Sequence, residues 1–147
     1  MPLGDFKNPG LYVSWKPTDR LVAKARELVG KMSGADAVRA VYQFVTAIAY
    51  DHDKAARLAG KRGYVPSPEE TFETGKGVCF DKASLLAAML RSLGVEAKLI
   101  VGTVDGKGHA WVLAHVGSTW LRCDPTMAVV WDKDEMGRHE YVAQYER

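Results

Sequence analysis

The sequence predicts an α+β protein in which helices come first and an antiparallel sheet follows. Apolar residues recur at helical spacing as far as about residue 93, and the alternation typical of strands begins after Gly94. These later apolar segments follow one another across short turns rich in glycine. Consecutive hairpins of this kind favour an antiparallel sheet packed against the preceding helices.

Bulk composition is that of a globular protein with one hydrophobic core. The 147 residues are 47% hydrophobic and 26% charged, which suits a single domain over residues 1–147. The formal net charge is +2 and no run of Lys and Arg forms a basic stripe. We therefore expect no nucleic-acid partner.

Cysteine content and the N-terminal residues bear on the cellular compartment. Two cysteines are too few for a disulfide scaffold and fit a reducing environment. The first ten residues lack the basic and apolar regions of a signal peptide, and no apolar run approaches the length of a membrane span. We therefore expect a cytoplasmic protein without a membrane partner.

The N-terminal part predicts an extended segment and then a helix. Residues 11–15 are apolar enough for either a short strand or an extended arm. The helix that follows has an apolar face at helical spacing, with Thr18 or Asp19 as its cap. Either Gly30 or Gly34 can end it.

A second helix is predicted within residues 33–51. Ser33 followed by Asp36 resembles a capping box, and valines then recur at helical spacing. Residues 51–66 are polar and rich in Gly, Lys and Arg, which predicts a loop. A short helix then opens with Ser67 as its cap, proline at its first position and acidic residues in its first turn.

Residues 79–93 are the strongest predicted helix. It carries only three charged side chains and is apolar almost all round, so we expect it inside the domain. Its first residue is Cys79, directly after a glycine-rich turn. Free N–H groups and the helix dipole at this position lower a thiol pKa. Cys79 is therefore either an inert core residue or a nucleophile.

The rest of the chain predicts strands. They lie at residues 95–102, 109–116 and 119–124. Tight turns separate them, and Pro125 ends the third. Residues 127–131 are compatible with a further strand, and the acidic stretch after them shows no clear pattern.

Two side chains that an activated cysteine needs lie in this predicted hairpin. His109 opens one strand and Asp124 closes the next, so the two should be neighbours across an antiparallel pair whose strands lie about 5 Å apart. A base that accepts the thiol proton and a group that orients that base are the usual partners of a nucleophilic cysteine. The spacing alone does not place Cys79 beside them.

Three ordered blocks resemble the core of the transglutaminase-like superfamily. They read GKGVCFDKASLLAAMLRSLGVEAKLIVG at residues 75–102, HAW at 109–111 and WLRCDPT at 120–126. The resemblance runs from about Tyr50 to Thr126. It implies a papain-like fold, in which a helix carrying the cysteine packs on an antiparallel sheet carrying histidine and aspartate.

The resemblance also implies roles for these residues. Cys79 would be the nucleophile, His109 the general base and acid, and Asp124 the residue that orients the imidazole. The backbone N–H of Cys79 would stabilise the oxyanion. The sequence does not identify the second donor. Tyr50 is a candidate, because an aromatic occupies a similar position in related sequences, and a buried tyrosine ending a helix is an alternative that the sequence favours at least as strongly.

Neighbouring residues are interpreted structurally. Gly77 is expected to keep the approach to Cys79 open to substrate. Asp81 is expected to cap the helix or to tie it to a neighbouring loop, and Cys123 is expected to lie in the core without a disulfide to Cys79. No motif has metal-ligand or phosphate-loop spacing, so we expect no cofactor and no metal.

Family members include protein cross-linking enzymes, proteases and amidases, so the resemblance implies acyl transfer from an amide through a thioester. We expect a cysteine protease or amidase acting on a peptide or protein, because water is always available and nothing marks an amine site. A protein-glutamine transglutaminase is an alternative. A non-catalytic peptide-binding module on the same fold is another, and the complete Cys, His and Asp set counts against it.

Overall fold

The computed structural model describes residues 18–59, 64, 66–127 and 140–146. The helices are α1 (Asp19–Val29), α2 (Gly34–Thr46), α3 (His52–Leu58), α4 (Pro68–Thr74) and α5 (Cys79–Ser92). The strands are β1 (Ala49–Tyr50), β2 (Lys76–Gly77), β3 (Ala97–Val104), β4 (Lys107–Val116), β5 (Thr119–Cys123) and β6 (Tyr141–Glu146). Helices followed by a mainly antiparallel sheet confirm the α+β prediction. The segments predicted at 11–15 and 127–131 lie wholly or mostly outside the described residues.

Local signals start and stop the first two helices. The hydroxyl of Thr18 accepts a hydrogen bond from the N–H of Leu21 at 3.4 Å and so caps α1. Gly30 ends α1 in a backbone conformation with φ 56°. Ser33 precedes α2, but its side chain makes no capping hydrogen bond among the described residues, so the predicted capping box is wrong. Packing of the apolar face of α2 stabilises this helix without that cap.

The prediction of a loop throughout residues 51–66 is wrong, because His52–Leu58 is helical. Asp51 caps this helix by accepting a hydrogen bond from the N–H of Lys54 at 3.0 Å. None of the seven residues of α3 is buried, so the helix has no apolar stripe for the sequence to reveal. A surface helix without hydrophobic periodicity resembles a polar loop in sequence.

A short parallel ladder joins two segments on either side of α3 and α4. Ala49 pairs with Lys76 and Tyr50 pairs with Gly77, and the N–H of Asp51 donates to the carbonyl of Gly77 at 3.0 Å. Two residues per strand are too few to give a period in sequence. The ladder places Tyr50 next to the turn that precedes α5.

Helix α5 lies at the centre of the described structure. Every residue from Cys79 to Leu90 is buried, as its nearly continuous apolar sequence predicts. It packs against α1, α2 and α4 and against β3 and β4. Lys82 is 3% exposed and donates from Nζ to the carbonyls of Thr46 and Ile48 at 3.3 and 2.8 Å. Its side chain thus provides hydrogen bonds to carbonyl groups at and just after the end of α2.

The main sheet has strand order β5-β4-β3-β6, with all its pairs antiparallel. Asp105 and Gly106 form the turn between β3 and β4, with φ values of 52° and 80°. The core face of the sheet carries Leu99, Val112 and Cys123 against α5. Strand β6 begins at the last residue of the acidic stretch that shows no clear pattern and was not predicted, and it pairs with β3 rather than with its neighbour in sequence.

No helix in the described ranges is both long and apolar enough to span a membrane.

Candidate active site

Cys79 is the first residue of α5 and is 3% exposed. Burial raises the pKa of its thiol to about 12, and the charge of Asp124 adds to this rise. Hydrogen bonds from the backbone N–H groups of Ala110 and Phe80 lower the pKa, but by less. The N–H donor of Phe80 at the helix N-terminus thus lowers this pKa, as expected, but the net shift is upward. Desolvation of the thiolate is a larger effect than the two N–H donors.

His109 and Asp124 lie in contact, as the predicted hairpin requires. The Nε2 atom of His109 is 2.7 Å from Oδ2 of Asp124. His109 is 7% exposed and Asp124 is fully buried. A hydrogen bond at Nε2 fixes the direction of the imidazole ring and leaves Nδ1 as the other ring nitrogen. The ring also stacks beside Trp111, with centroids 6.2 Å apart.

Asp124 is held by donors on both of its oxygens. Oδ1 accepts the backbone N–H groups of Thr126 and Met127, each at 3.1 Å. Oδ2 accepts from His109 and also from the hydroxyl of Tyr141 at 2.9 Å. A buried carboxylate needs such partners to remain charged. Tyr141 was missed in the sequence, because it reaches the site only through the long-range pairing of β6 with β3.

A cleft of about 370 Å³ brings Cys79 and His109 to one surface. Its lining residues are Tyr50, Cys79, Val104, Asp105, Lys107, Gly108, His109, Thr126 and Met127. The turn between β3 and β4 thus overhangs the cleft on the side of His109, and Tyr50 contributes from the ladder before α3. Asp124 supports the cleft from behind His109 without lining it.

Tyr50 lies in strand β1, so the alternative of a buried tyrosine ending a helix is wrong. Its ring meets the ring of His52 edge-on at 4.9 Å, and its side chain is only partly buried. Burial first, and then the charges of Cys79 and Asp81, raise the pKa of the Tyr50 hydroxyl. The hydroxyl therefore keeps its proton and can donate a hydrogen bond at the cleft.

Gly77 packs closely against two neighbouring helices. A Cβ atom at this position would lie 2.7 Å from Cβ of Asp81 and 3.1 Å from Cγ2 of Thr71. Gly77 does not line the cleft. Glycine is therefore required by the packing of the turn on α4 and α5, and its role in leaving room for substrate stays a prediction.

Two structural roles were predicted for Asp81, and it has both: it caps α5 and ties this helix to a neighbouring segment. Its Oδ2 accepts the N–H of Val78 at 2.9 Å and lies 3.0 Å from Nζ of Lys54. Its Oδ1 accepts the hydroxyl of Tyr64. This fully buried carboxylate joins α3 and Tyr64 to the turn that carries Cys79.

The second cysteine, Cys123, is free and fully buried in the core, as expected. Burial, and next the charge of Asp124, raise its pKa to about 12. The two thiols therefore share burial and a raised pKa, and they differ in that only Cys79 lines the cleft with His109. In the part of the chain that the structure describes, His, Cys, Asp and Glu side chains form no group of three suited to a metal ion.

Known proteins resemble this chain in both sequence and fold. An uncharacterised protein of Mycobacterium leprae, ML0607, is 31% identical over 94 residues, which cover 56% of this chain and 33% of that protein. A candidate cysteine protease from Cytophaga hutchinsonii has 22% sequence identity and a TM-score of 0.63, over 95% of this chain and 53% of that one. The periplasmic domain of TgpA from Pseudomonas aeruginosa, bound to ethylmercury, has 24% sequence identity and a TM-score of 0.61. The match covers 84% of this chain and 49% of that one.

The chain thus spans about a third of the length of the mycobacterial relative. Because a periplasmic domain is among the similar structures, the cytoplasmic location stays a prediction. The core model of the transglutaminase-like superfamily matches residues 22–125, which include Cys79, His109 and Asp124. With this match over most of the sequence and the fold shared with these structures, the chain belongs to the transglutaminase-like superfamily.

Proposed function

We propose that this protein is a thiol-dependent hydrolase that cleaves an amide bond of a peptide or protein through a Cys79-His109-Asp124 triad and a thioester intermediate. The observation that carries the proposal is the position of His109. It shares a cleft with the thiol of Cys79, and its ring is hydrogen-bonded to the buried carboxylate of Asp124 at 2.7 Å. This is the arrangement that nucleophilic thiol catalysis needs.

The first half of the reaction forms the thioester. Nδ1 of His109 accepts the proton of Cys79 as sulfur attacks the amide carbon, and the carbonyl oxygen takes up the negative charge. The C–N bond then breaks, the carbonyl re-forms, and the imidazolium gives its proton to the leaving amine. Asp124 stabilises the imidazolium between these two proton transfers.

The second half releases the acid. His109 accepts a proton from a water molecule that attacks the thioester carbon, and the C–S bond breaks with return of that proton to sulfur. The enzyme is regenerated and one water has been consumed. With an amine in place of water, the same steps would form a new amide, which is the transglutaminase reaction.

The resting state follows from the burial of the thiol. Because burial raises the pKa of Cys79 to about 12, the resting thiol keeps its proton and is not a preformed thiolate. His109 then acts as a general base during attack. A protonated thiol avoids the desolvation penalty of a buried thiolate until the substrate is bound.

Two groups are proposed to stabilise the oxyanion. The backbone N–H of Cys79 lies in the first turn of α5, where N–H groups have no partner within the helix. The protonated hydroxyl of Tyr50 lines the same cleft and is the proposed second donor.

Iodoacetamide labelling with peptide mapping tests the activation of Cys79, and Cys123 is its internal control. Both thiols are buried and both have raised pKa values. We expect labelling of Cys79 at pH 7 at least about tenfold faster than labelling of Cys123, and loss of that difference in His109→Ala. Equal labelling of the two cysteines in the wild type contradicts the proposal.

A substrate screen then separates hydrolysis from transamidation. Peptide amides and esters are incubated with the protein, with and without an added primary amine, and products are detected by mass. Products that are heavier than the amide-cleavage acid by the amine less one water identify a transglutaminase. Free acids in both conditions support the hydrolase, and a thioester adduct on Cys79 supports the intermediate.

A further inference from the structure

The hydroxyl of Tyr141 is the second donor to the oxygen of Asp124 that His109 uses. It lies 2.9 Å from Oδ2, and Nε2 of His109 lies 2.7 Å from the same atom. The position of this oxygen is therefore defined from two directions, by the first residue of β6 and by a residue of β4. The proposed triad thus has a fourth hydrogen-bonding member.

The ring of Tyr141 is itself fixed in place. It meets Trp111 edge-on with centroids 5.0 Å apart, and the guanidinium carbon of Arg122 lies 4.3 Å from its centroid. Its backbone pairs with Val104, the last residue of β3 and a wall of the cleft. A rigid ring aims the hydroxyl at Asp124 without the entropy cost of ordering a free side chain.

The hydrogen-bond polarity at Asp124 is also defined. Burial, followed by the charge of Asp124 and the hydrogen bond to it, raises the pKa of Tyr141. The phenol therefore keeps its proton and donates, while the carboxylate accepts. With the N–H groups of Thr126 and Met127 on Oδ1, Asp124 has four donors among the described residues, and they hold the plane of its carboxylate through both oxygens.

We propose that Tyr141 is a positioning residue that holds Oδ2 of Asp124 toward His109 and thereby keeps the Nδ1 atom of His109 directed at Cys79. This inference rests on the proposed triad. Tyr141 does not line the cleft, so it acts through Asp124 and not on the substrate. Removal of its hydroxyl leaves His109 as the one donor to Oδ2 in the part of the chain that the structure describes, and it frees the carboxylate to turn away from the imidazole.

The test measures iodoacetamide labelling of Cys79 at pH 7 in a double-mutant cycle. Tyr141→Phe keeps the ring between Trp111 and Arg122 and removes only the hydroxyl. We expect it to slow labelling by roughly three- to tenfold, less than the full effect of one hydrogen bond to a charged group, because Tyr141 acts on Cys79 only through Asp124 and His109. In the Asp124→Asn background the same substitution should change the rate less than about twofold, because the group through which it acts is already altered.

Histidine ¹⁵N NMR supplies a readout that a purely structural role would not move. In the wild type the proton of neutral His109 should reside on Nε2, and in Tyr141→Phe a mixture of the two tautomers should appear. Val142→Ala is the matched control on β6, because Val142 is 45% exposed and its replacement leaves Tyr141 in place. It should have wild-type labelling and a wild-type tautomer.

The outcomes separate this inference from the proposed function. If His109→Ala labels Cys79 as fast as the wild type, the triad fails and the role of Tyr141 fails with it. If His109→Ala is slow while Tyr141→Phe matches the wild type in rate and tautomer, only the role of Tyr141 is overturned. Equal slowing by Tyr141→Phe in both backgrounds also overturns it, because the effect would then bypass Asp124.

Discussion

The Nε2 atom of His109 and the Oδ2 atom of Asp124 lie 2.7 Å apart, and both side chains are buried. The pair joins the beginning of β4 to the residue after β5, so one hairpin supplies both partners. In a medium of low polarity this hydrogen bond is stronger than it would be in water, and it leaves Nδ1 as the imidazole nitrogen available to Cys79 in the proposed triad.

Asp124→Asn keeps the shape of the side chain and removes its charge. An amide can present a donor to Nε2, which favours the wrong tautomer and leaves the imidazolium without its counter-charge. We expect turnover of a substrate found by the screen to fall at least about a hundredfold with little change in KM. A turn-forming role for Asp124 predicts near-normal kinetics, so wild-type turnover in a folded Asp124→Asn protein would remove the third member of the triad.

Cys79→Ala should abolish turnover, and Cys123→Ala should retain it. Both thiols are buried and each replacement removes one sulfur atom, so the cost in packing is similar, about 1 kcal/mol or somewhat more. Turnover is measured at matched folded fractions, with circular dichroism as the fold control. Equal loss of turnover in the two folded variants would contradict the assignment of Cys79.

The raised thiol pKa values predict loss of stability in alkaline solution. The pKa of an unfolded thiol is about 8.5, while burial raises the pKa of the folded Cys79 and Cys123 thiols to about 12. Between these values the folded state holds protons that the unfolded state has released, so stability falls as the pH rises. Each thiol contributes a slope of up to about 1.4 kcal/mol per pH unit.

Urea unfolding at pH 7.5, 8.5 and 9.5 measures that slope below the ordinary pKa of tyrosine. The free energy of unfolding of the wild type should decrease over this range, and Cys123→Ala should show a shallower decrease. Identical pH dependence in the two proteins would show that burial does not raise the pKa of Cys123.

Gly77→Ala should disturb the turn before Cys79. The added methyl would lie 2.7 Å from Cβ of Asp81. Because Asp81 and Thr71 are both buried beside it, the backbone must shift. We expect a loss of about 1–3 kcal/mol of stability, seen as a lower Tm, together with slower labelling of Cys79. Wild-type Tm and labelling would show that the turn has room for a side chain.

Sequence alone determined the parts of this protein that have a local cause. The apolar pattern of residues 79–93 predicted a central buried helix, and Cys79 at its start followed from the turn before it. The short turn between two strands predicted the contact of His109 with Asp124, because hairpin register depends on residues that are close in the chain. Thr18 and Ser67 likewise marked helix starts through their own side chains.

Tertiary structure alone decided what depends on distant segments. The pairing of β6 with β3 brings Tyr141 to Asp124, and the ladder that pairs Tyr50 with Gly77 brings Tyr50 to the cleft. No local pattern encodes such contacts, since they are selected by the packing of the whole chain. The pKa of Cys79 is the clearest case: the helix N-terminus visible in the sequence lowers it, but burial, which only the assembled fold produces, has the larger effect and raises it.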